Sequence, residues 1–241
     1  MTTLLVLAVA LMAQSPQGNI PAPSAETQPM SLADRAAAAR KAAAERNHSA
    51  SAKKDTDGPP ELTSEQRGAV RGTQYVNDVL HCKLDLANEW EQLSAERVAR
   101  DEEVARRFVN PDQPPSPYRV LWIGDAGGRN VAVSVVPVSP TMPSELGEIA
   151  ARLKQISHAQ LVKAEDLVDE TEPILLGDVK HKFAAFRLKY SIRGTPIVQS
   201  EQVTRSNGLL LMLTVTGSSD QDVVEALRSL NSRLSWTEAR P

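Results

Sequence analysis

The adjacent residues His81 and Cys82 supply the two parts of a thiol catalyst, a nucleophile and a base to activate it. The stretch that carries them, YVNDVLHCKLDL, argues against that chemistry. Val76, Leu80, Cys82, Leu84 and Leu86 fall on one parity, interrupted by Asp78, and Asn77, His81, Lys83 and Asp85 fall on the other. This is the period of a half-buried strand. Neighbouring strand residues point to opposite faces, so Cys82 is expected inward as a small core hydrophobe and His81 outward.

Three other groupings could do chemistry. Gly127-Gly128 invites a phosphate loop, but neither the G-x-x-x-x-G-K-[ST] spacing nor a following helix accompanies it, and a hairpin turn is expected instead. Glu165, Asp166, Asp169, Glu170 and Glu172 offer oxygens to a cation without the D-x-D-x-D-G order of a calcium loop, and read as a solvated acidic turn. His158 and His181 flank that run with no metal-ligand spacing. Neither G-x-S-x-G nor H-E-x-x-H occurs, so no catalytic, cofactor-binding or metal-ligating residue is assigned. The expectation is a protein that is not an enzyme and holds no cofactor; carboxylates or histidines converging only in three dimensions remain the alternative.

The elements that must position these residues are regular. Arg119 to Ile123 and Asn130 to Val138 are β-branched and aromatic runs flanking the glycine pair, a hairpin signal. Leu146, Ile149, Ala150, Leu153 and Ile156 recur at helical spacing, followed by a strand-like AQLVKA. Ala184, Phe186, Leu188, Tyr190 and Ile192 alternate with Arg187, Lys189, Ser191 and Arg193, which predicts one core face and one wet face. IVQSEQVT returns as a weaker strand, RSNG turns, and Gly208 to Thr216 supplies a third. Ser218 and Gln221 suit a capping box before a helix with Val223, Leu227, Leu230 and Leu234 on one side. A charged helix is expected through ANEWEQLSAERVARDEEVARRFV, with Leu93, Val98 and Phe108 as its apolar points and Glu96 to Arg100 as a favourable pair.

The N-terminal third differs. Leu4 to Ala13 is an apolar run of about ten residues, half of what a membrane-crossing helix needs, and it suits a secretory signal cleaved after Ala10 or Ala13. Residues 1–13 are therefore read as a signal peptide, with a weak n-region because no Lys or Arg precedes the run. Residues 14–69 are a Pro-, Ser- and Ala-rich spacer; Ser31 and Asp34 there resemble a capping box before a partly formed helix. Arg35, Arg40, Lys41, Arg46, Lys53 and Lys54 could form a nucleic-acid arm, yet from residue 14 to 70 seven basic residues face seven acidic ones. Without net positive charge, phosphate binding has little drive, and no nucleic acid is expected.

All nine aromatic residues lie between Tyr75 and Trp236, so the core belongs to residues 70–238. That is one domain, large enough to bury about 70% of its unfolded surface without a staple. Cys82 is the single cysteine, which excludes an intrachain disulfide. The fold class expected is α+β: a three-layer α/β/α sandwich around a mainly antiparallel sheet.

The hairpin, helix, three-stranded meander and closing helix resemble the PsbP-like fold family, which includes lumenal PsbP proteins, a nuclear Ran-binding protein and the Eag effector chaperones of type VI secretion. The strand pattern from Ala184 to Tyr190, the LTVTGSS exit and the terminal Leu234-Ser235-Trp236 carry the resemblance, together with LDLANEW, where Ala87 stands in place of a usual proline. It implies fold and no ligand residues. The functional expectation is a periplasmic or extracellular, non-catalytic binding or accessory protein with a protein partner and no integral membrane segment after cleavage. An Eag-type chaperone would instead be cytoplasmic and retain residues 1–13.

Overall fold

The computed structural model describes residues 60–86, 88–109, 116–125, 127–161, 166–171, 176, 181–192 and 194–237. The expected signal, most of the spacer and the Ser31–Asp34 arrangement lie outside the described residues, as do Glu165, Glu172 and the side chains of Phe108, Asp166, Asp169 and Glu170. Among the described residues no helix is long and apolar enough to cross a membrane.

Helix α1 (Ser64–Arg67) opens the fold, closed by a capping box in which Thr63 and Gln66 answer each other's backbone N–H. Strands β1 (Ala69–Arg71), β2 (Gln74–Asn77) and β3 (Cys82–Asp85) follow, then β4 (Glu91–Gln92), α2 (Ala95–Val109), β5 (Arg119–Gly124) and β6 (Asn130–Pro137). Helix α3 (Leu146–Leu161) leads through β7 (Asp166–Thr171) to the meander β8 (Ala184–Ile192), β9 (Thr195–Ser206) and β10 (Leu209–Gly217). Helix α4 (Asp220–Arg233) and β11 (Leu234–Trp236) end it.

Two antiparallel sheets result, one of four strands in the order β1-β2-β3-β11 and one of seven in the order β4-β5-β6-β10-β9-β8-β7. The β9–β10 connection is a two-residue turn at Asn207 and Gly208, both at positive φ, whose twist matches that of the strands it joins. On one face of the large sheet Val131, Val133, Val135, Leu211, Leu213 and Val215 share a register and are fully buried. This face carries α4, because Asp220 at the helix start bonds Arg187 and Lys189, whose parity in β8 is the same. The alternate residues Phe186, Leu188 and Tyr190 are buried on the other face, where α3 lies over β7, β8 and β9 with Ile149, Ala150 and Leu153 buried. The expected α/β/α layering is therefore observed, with a second antiparallel sheet beside it.

Several local expectations are corrected. The run from Tyr75 to Leu86 is a hairpin, since the buried Asn77 side chain accepts from the Leu80 N–H and His81 takes φ 55°, which ends one strand before the next begins. Helix α2 starts only at Ala95, after β4 has paired Glu91 with Gly124. Most of the presumed acidic turn is the edge strand β7, and α3 runs to Leu161, taking in the start of AQLVKA. The N-cap of α4 is Ser219, one residue beyond the expected Ser218: its side chain accepts from Asp222 N–H, and the Asp222 carboxylate accepts from both serine hydroxyls. Leu234 to Trp236 is a strand paired with β3 and no longer helix. The presumed wet face of β8 is covered in part: Arg187 is only 5% exposed, whereas Lys189 and Ser191 on the same face are half-buried.

Candidate functional site

The residues that the sequence offered for chemistry do not come together. Cys82 is buried on β3 and burial pushes its thiol up to about 12, far from a thiolate at neutral pH. His181 stacks on Trp236 with ring centroids 4.2 Å apart, serving as an aromatic plate. His158 lies in the last turn of α3. At the glycine pair, the Gly127 and Arg129 amides already donate to the Asp125 carboxylate at 2.9 and 3.1 Å. Arg129 then joins Asp125 to Glu225 of α4, so the turn's donors serve the protein's own acids. Among the described residues no three His, Cys, Asp or Glu converge as a metal centre would require.

A different cluster forms where sequence reasoning saw only a weak strand. Glu201 lies mid-way along β9, paired in register with Thr214 of β10 and Phe186 of β8, and is fully buried. Thr214 Oγ1 donates to its Oε2 at 2.7 Å and Gln199 Nε2 to its Oε1 at 2.8 Å. The Tyr190 hydroxyl donates to Gln199 Oε1 at 2.7 Å, completing a chain of buried polar groups across three strands. Burial pushes the Glu201 carboxyl up to about 7, while Thr214, Gln199 and the Arg119 charge restrain the rise. The same burial, reinforced by Glu201, raises Tyr190. Glu201 therefore titrates near neutrality inside the sheet.

Arg119 is brought to this face by a β-bulge. It pairs with Ser134, and Trp122 pairs with Ala132, two residues along β6, although three residues separate the pair on β5. The extra residue restores their parity and sets the guanidinium 4.7 Å from the indole centroid, a cation–π contact. Burial lowers Arg119 to about 10 against the countering charge of Glu201, so it stays a cation at neutral pH. On the same face the buried Trp122 Nε1 and Ser134 Oγ have no hydrogen-bond partner among the described residues. Trp122 and Ala132 form a small apolar cluster with the half-buried Leu93 and Val98, separate from the main core.

The opposite face holds a second charged group. Arg187 Nη1 and Lys189 Nζ reach the Asp220 carboxylate at 2.8 and 2.6 Å, and Lys189 first, then Arg187, holds that carboxyl below its ordinary range. This ties β8 to the start of α4 and leaves Arg187 Nε and Nη2 buried without partners among the described residues.

One signal could have exposed the first cluster. Strand β9 lies between β10, apolar on both parities, and β8, whose apolar residues Phe186 and Leu188 pair in register with Glu201 and Gln199, so these two polar side chains fall on a core face and must find partners.

No family model and no curated protein matches this chain. Among solved structures it is similar to cyanobacterial PsbP from Synechocystis sp., with 11% identity over 70% of this chain and 98% of that one and a TM-score of 0.45. It is also similar to LpqN of Mycobacterium tuberculosis, involved in cell envelope biogenesis, with 10% identity over 65% and 83% of the two chains and a TM-score of 0.42. A protein from Bacteroides thetaiotaomicron shows 10% identity over 70% and 50% of the chains and a TM-score of 0.38.

Proposed function

We propose that this chain is an exported, non-catalytic accessory protein whose PsbP-like domain receives an extended segment of a protein partner along the β1 edge. One observation carries the reading. The apolar faces of the sheet and of its closing helix are already covered: β10 is buried along its length, and Val223, Leu227 and Leu230 of α4 are at most 2% exposed. Strand β1 is the exception, exposed at all three residues, and Val70 at 37% is the exposed large hydrophobic side chain among the described residues. It lies at the edge of the four-stranded sheet, where the outward N–H and C=O groups can pair with an incoming strand. The apolar run from Leu4 to Ala13 and the polar spacer after it suit export followed by reach from the site of export.

Two measurements test this reading. N-terminal sequencing from the native host should find a mature chain that begins after Ala10 or Ala13. A photo-crosslinking residue at Val70 should capture one envelope protein that the same residue at the exposed Arg228 of α4 does not, and Val70→Lys should weaken that complex. A cytoplasmic chain that keeps residues 1–13 overturns export and favours the chaperone alternative. Equal capture at both positions overturns the edge as the docking surface.

A further inference from the structure

The register across the four-stranded sheet sorts its β1 edge into two faces of different chemistry. Val70 pairs with Tyr75, Tyr75 with Leu84 and Leu84 with Leu234, so the four side chains form one row on one face. Tyr75 and Leu84 are buried and Leu234 packs against the core, while Val70 ends the row exposed. On the opposite face Arg71 pairs with Gln74 and Gln74 with Asp85, a row that is polar throughout. An added strand continues both rows, so its side chains must alternate, one apolar beside Val70 and its neighbour polar beside Arg71.

Arg71 sets the charge of that neighbour. Its Nη2 lies 3.1 Å from Asp78 Oδ2, and the two side chains are 65% and 73% exposed. A pair so open to water contributes little, and the guanidinium keeps further donors for a second carboxylate. The length of the edge is fixed as well, because Gly68 and Gly72, at φ 67° and 62°, turn the chain on either side of the three-residue strand. A second copy of this chain suits the edge less well. Antiparallel addition centred on Val70 would set Arg71 against an alanine and leave both guanidiniums without a cross-strand acid.

We propose that the occupant of the β1 edge is an extended acidic segment of another protein, in which a glutamate or aspartate directly precedes a β-branched apolar residue. The inference rests on the proposed docking at β1 and names the chemistry of what docks there. Antiparallel pairing, which every strand of this sheet uses, runs the partner past Arg71 first and Val70 second, and this fixes the order as acid, then apolar. The acid answers Arg71 across the strands, and the apolar residue covers Val70 and extends its row. A cation on the edge also opposes pairing with basic strands, so the same residue selects by repulsion as well as by attraction.

Two cyclised hairpin peptides are suitable probes, identical except that the free strand reads Thr-Glu-Val-Thr in one and Thr-Lys-Val-Thr in the other. Cyclisation holds the strand extended, so ordering it costs little of the affinity. In nitrogen-15 NMR titrations of the full chain, the amide resonances of Ala69, Val70 and Arg71 should shift with the glutamate peptide. That peptide should bind about threefold or more tightly than the lysine peptide, and added salt should narrow the difference. Arg71→Glu, a change at an exposed side chain, should fold as the wild type does and reverse the preference. If neither peptide shifts these resonances, β1 is no docking strand, and the docking reading falls together with this inference. Equal affinities, or a preference unchanged in Arg71→Glu, would overturn the acidic partner alone and leave the edge standing. A dimer of the full chain that Val70→Lys dissolves, seen by analytical ultracentrifugation, would make a second copy the occupant and overturn the acidic segment.

Discussion

Arg119 and Trp122 stand three residues apart on β5 yet share one face of the sheet, the guanidinium carbon 4.7 Å from the indole centroid. Alternation would separate them, and the bulge between Arg119 and Leu121 cancels it. The consequence reaches across the sheet. A cation held on this face restrains the rise of the Glu201 carboxyl, and Glu201 in turn restrains the fall of Arg119. The cluster thereby keeps a cation and a titrating carboxyl within one covered layer, where electrostatic effects are stronger than in water.

Leu227 lies 2% exposed in the seam between α4 and the sheet, among Val223, Ala226 and Leu230. Leu227→Ala removes its side chain from a packed interior and should destabilise by about 2 to 5 kcal/mol, the range for buried truncations. Urea denaturation followed by circular dichroism measures this. A loss below about half a kcal/mol, typical of surface positions, would mean that the stripe is not packed.

The sequence made this seam legible because its periods are unambiguous. Strand β8 alternates cleanly, β10 is apolar on both parities at its start, and Asn207-Gly208 is a hairpin turn that local chemistry favours. The candidate site was not legible. Gln199 and Glu201 occupy one face of β9 and Ser200 and Gln202 the other, so the strand looks polar on both sides. Only its place between β8 and β10 buries it, and the partners that satisfy it, Tyr190 and Thr214, come from other strands. The bulge in β5 left no mark either, since neither glycine nor proline occurs between Arg119 and Ile123. The α4 cap was misplaced by one residue because Ser218 and Ser219 are both competent and both donate to the Asp222 carboxylate; only the Asp222 backbone N–H, which donates to the Ser219 hydroxyl, chooses between them.

Cys82 gives a reactivity prediction. Its thiol is 2% exposed and pushed up to about 12 by burial, so the thiolate fraction at pH 8 is negligible in the folded chain. Labelling with a disulfide reagent such as DTNB should be slow in buffer and become fast and stoichiometric in denaturant. Rapid native labelling would show instead that β3 opens readily or that Cys82 is an accessible nucleophile.

Gly217 closes β10 where the chain turns into α4. A Cβ at this position would meet Asp222 Cβ at 2.5 Å, closer than real atoms approach, and Asp222 is held there by Ser218 and Ser219. Gly217→Ala must push the cap outward, and should cost about 1 to 3 kcal/mol, as overpacking does. A thermal melt of the variant that matches the wild type would show that the cap yields freely.

The last prediction concerns Glu201 and pH. Its carboxyl is pushed from an ordinary 4.5 up to about 7, first by burial, so the folded state holds a proton that the unfolded chain has released. A group raised on folding adds stability that is fully present below its unfolded value, here about 4.5, and is lost as pH rises through its folded value, about 7. At 1.36 kcal/mol per unit, the separation corresponds to roughly 3 kcal/mol. Asp220 and Asp222 act in the opposite sense and outside this window. Both are lowered, so their contribution is present above the ordinary carboxylate range and is lost only in stronger acid. Denaturant unfolding should therefore show stability declining between pH 4.5 and 8. Glu201→Gln retains a group that can accept from Gln199 and donate to Thr214 without ionising. It should flatten the decline, matching the wild type at pH 4.5 and exceeding it at pH 8. An unchanged slope in the variant would place the dependence in another group. A wild-type chain that gains stability across this interval would show that Arg119 holds Glu201 ionised within the sheet.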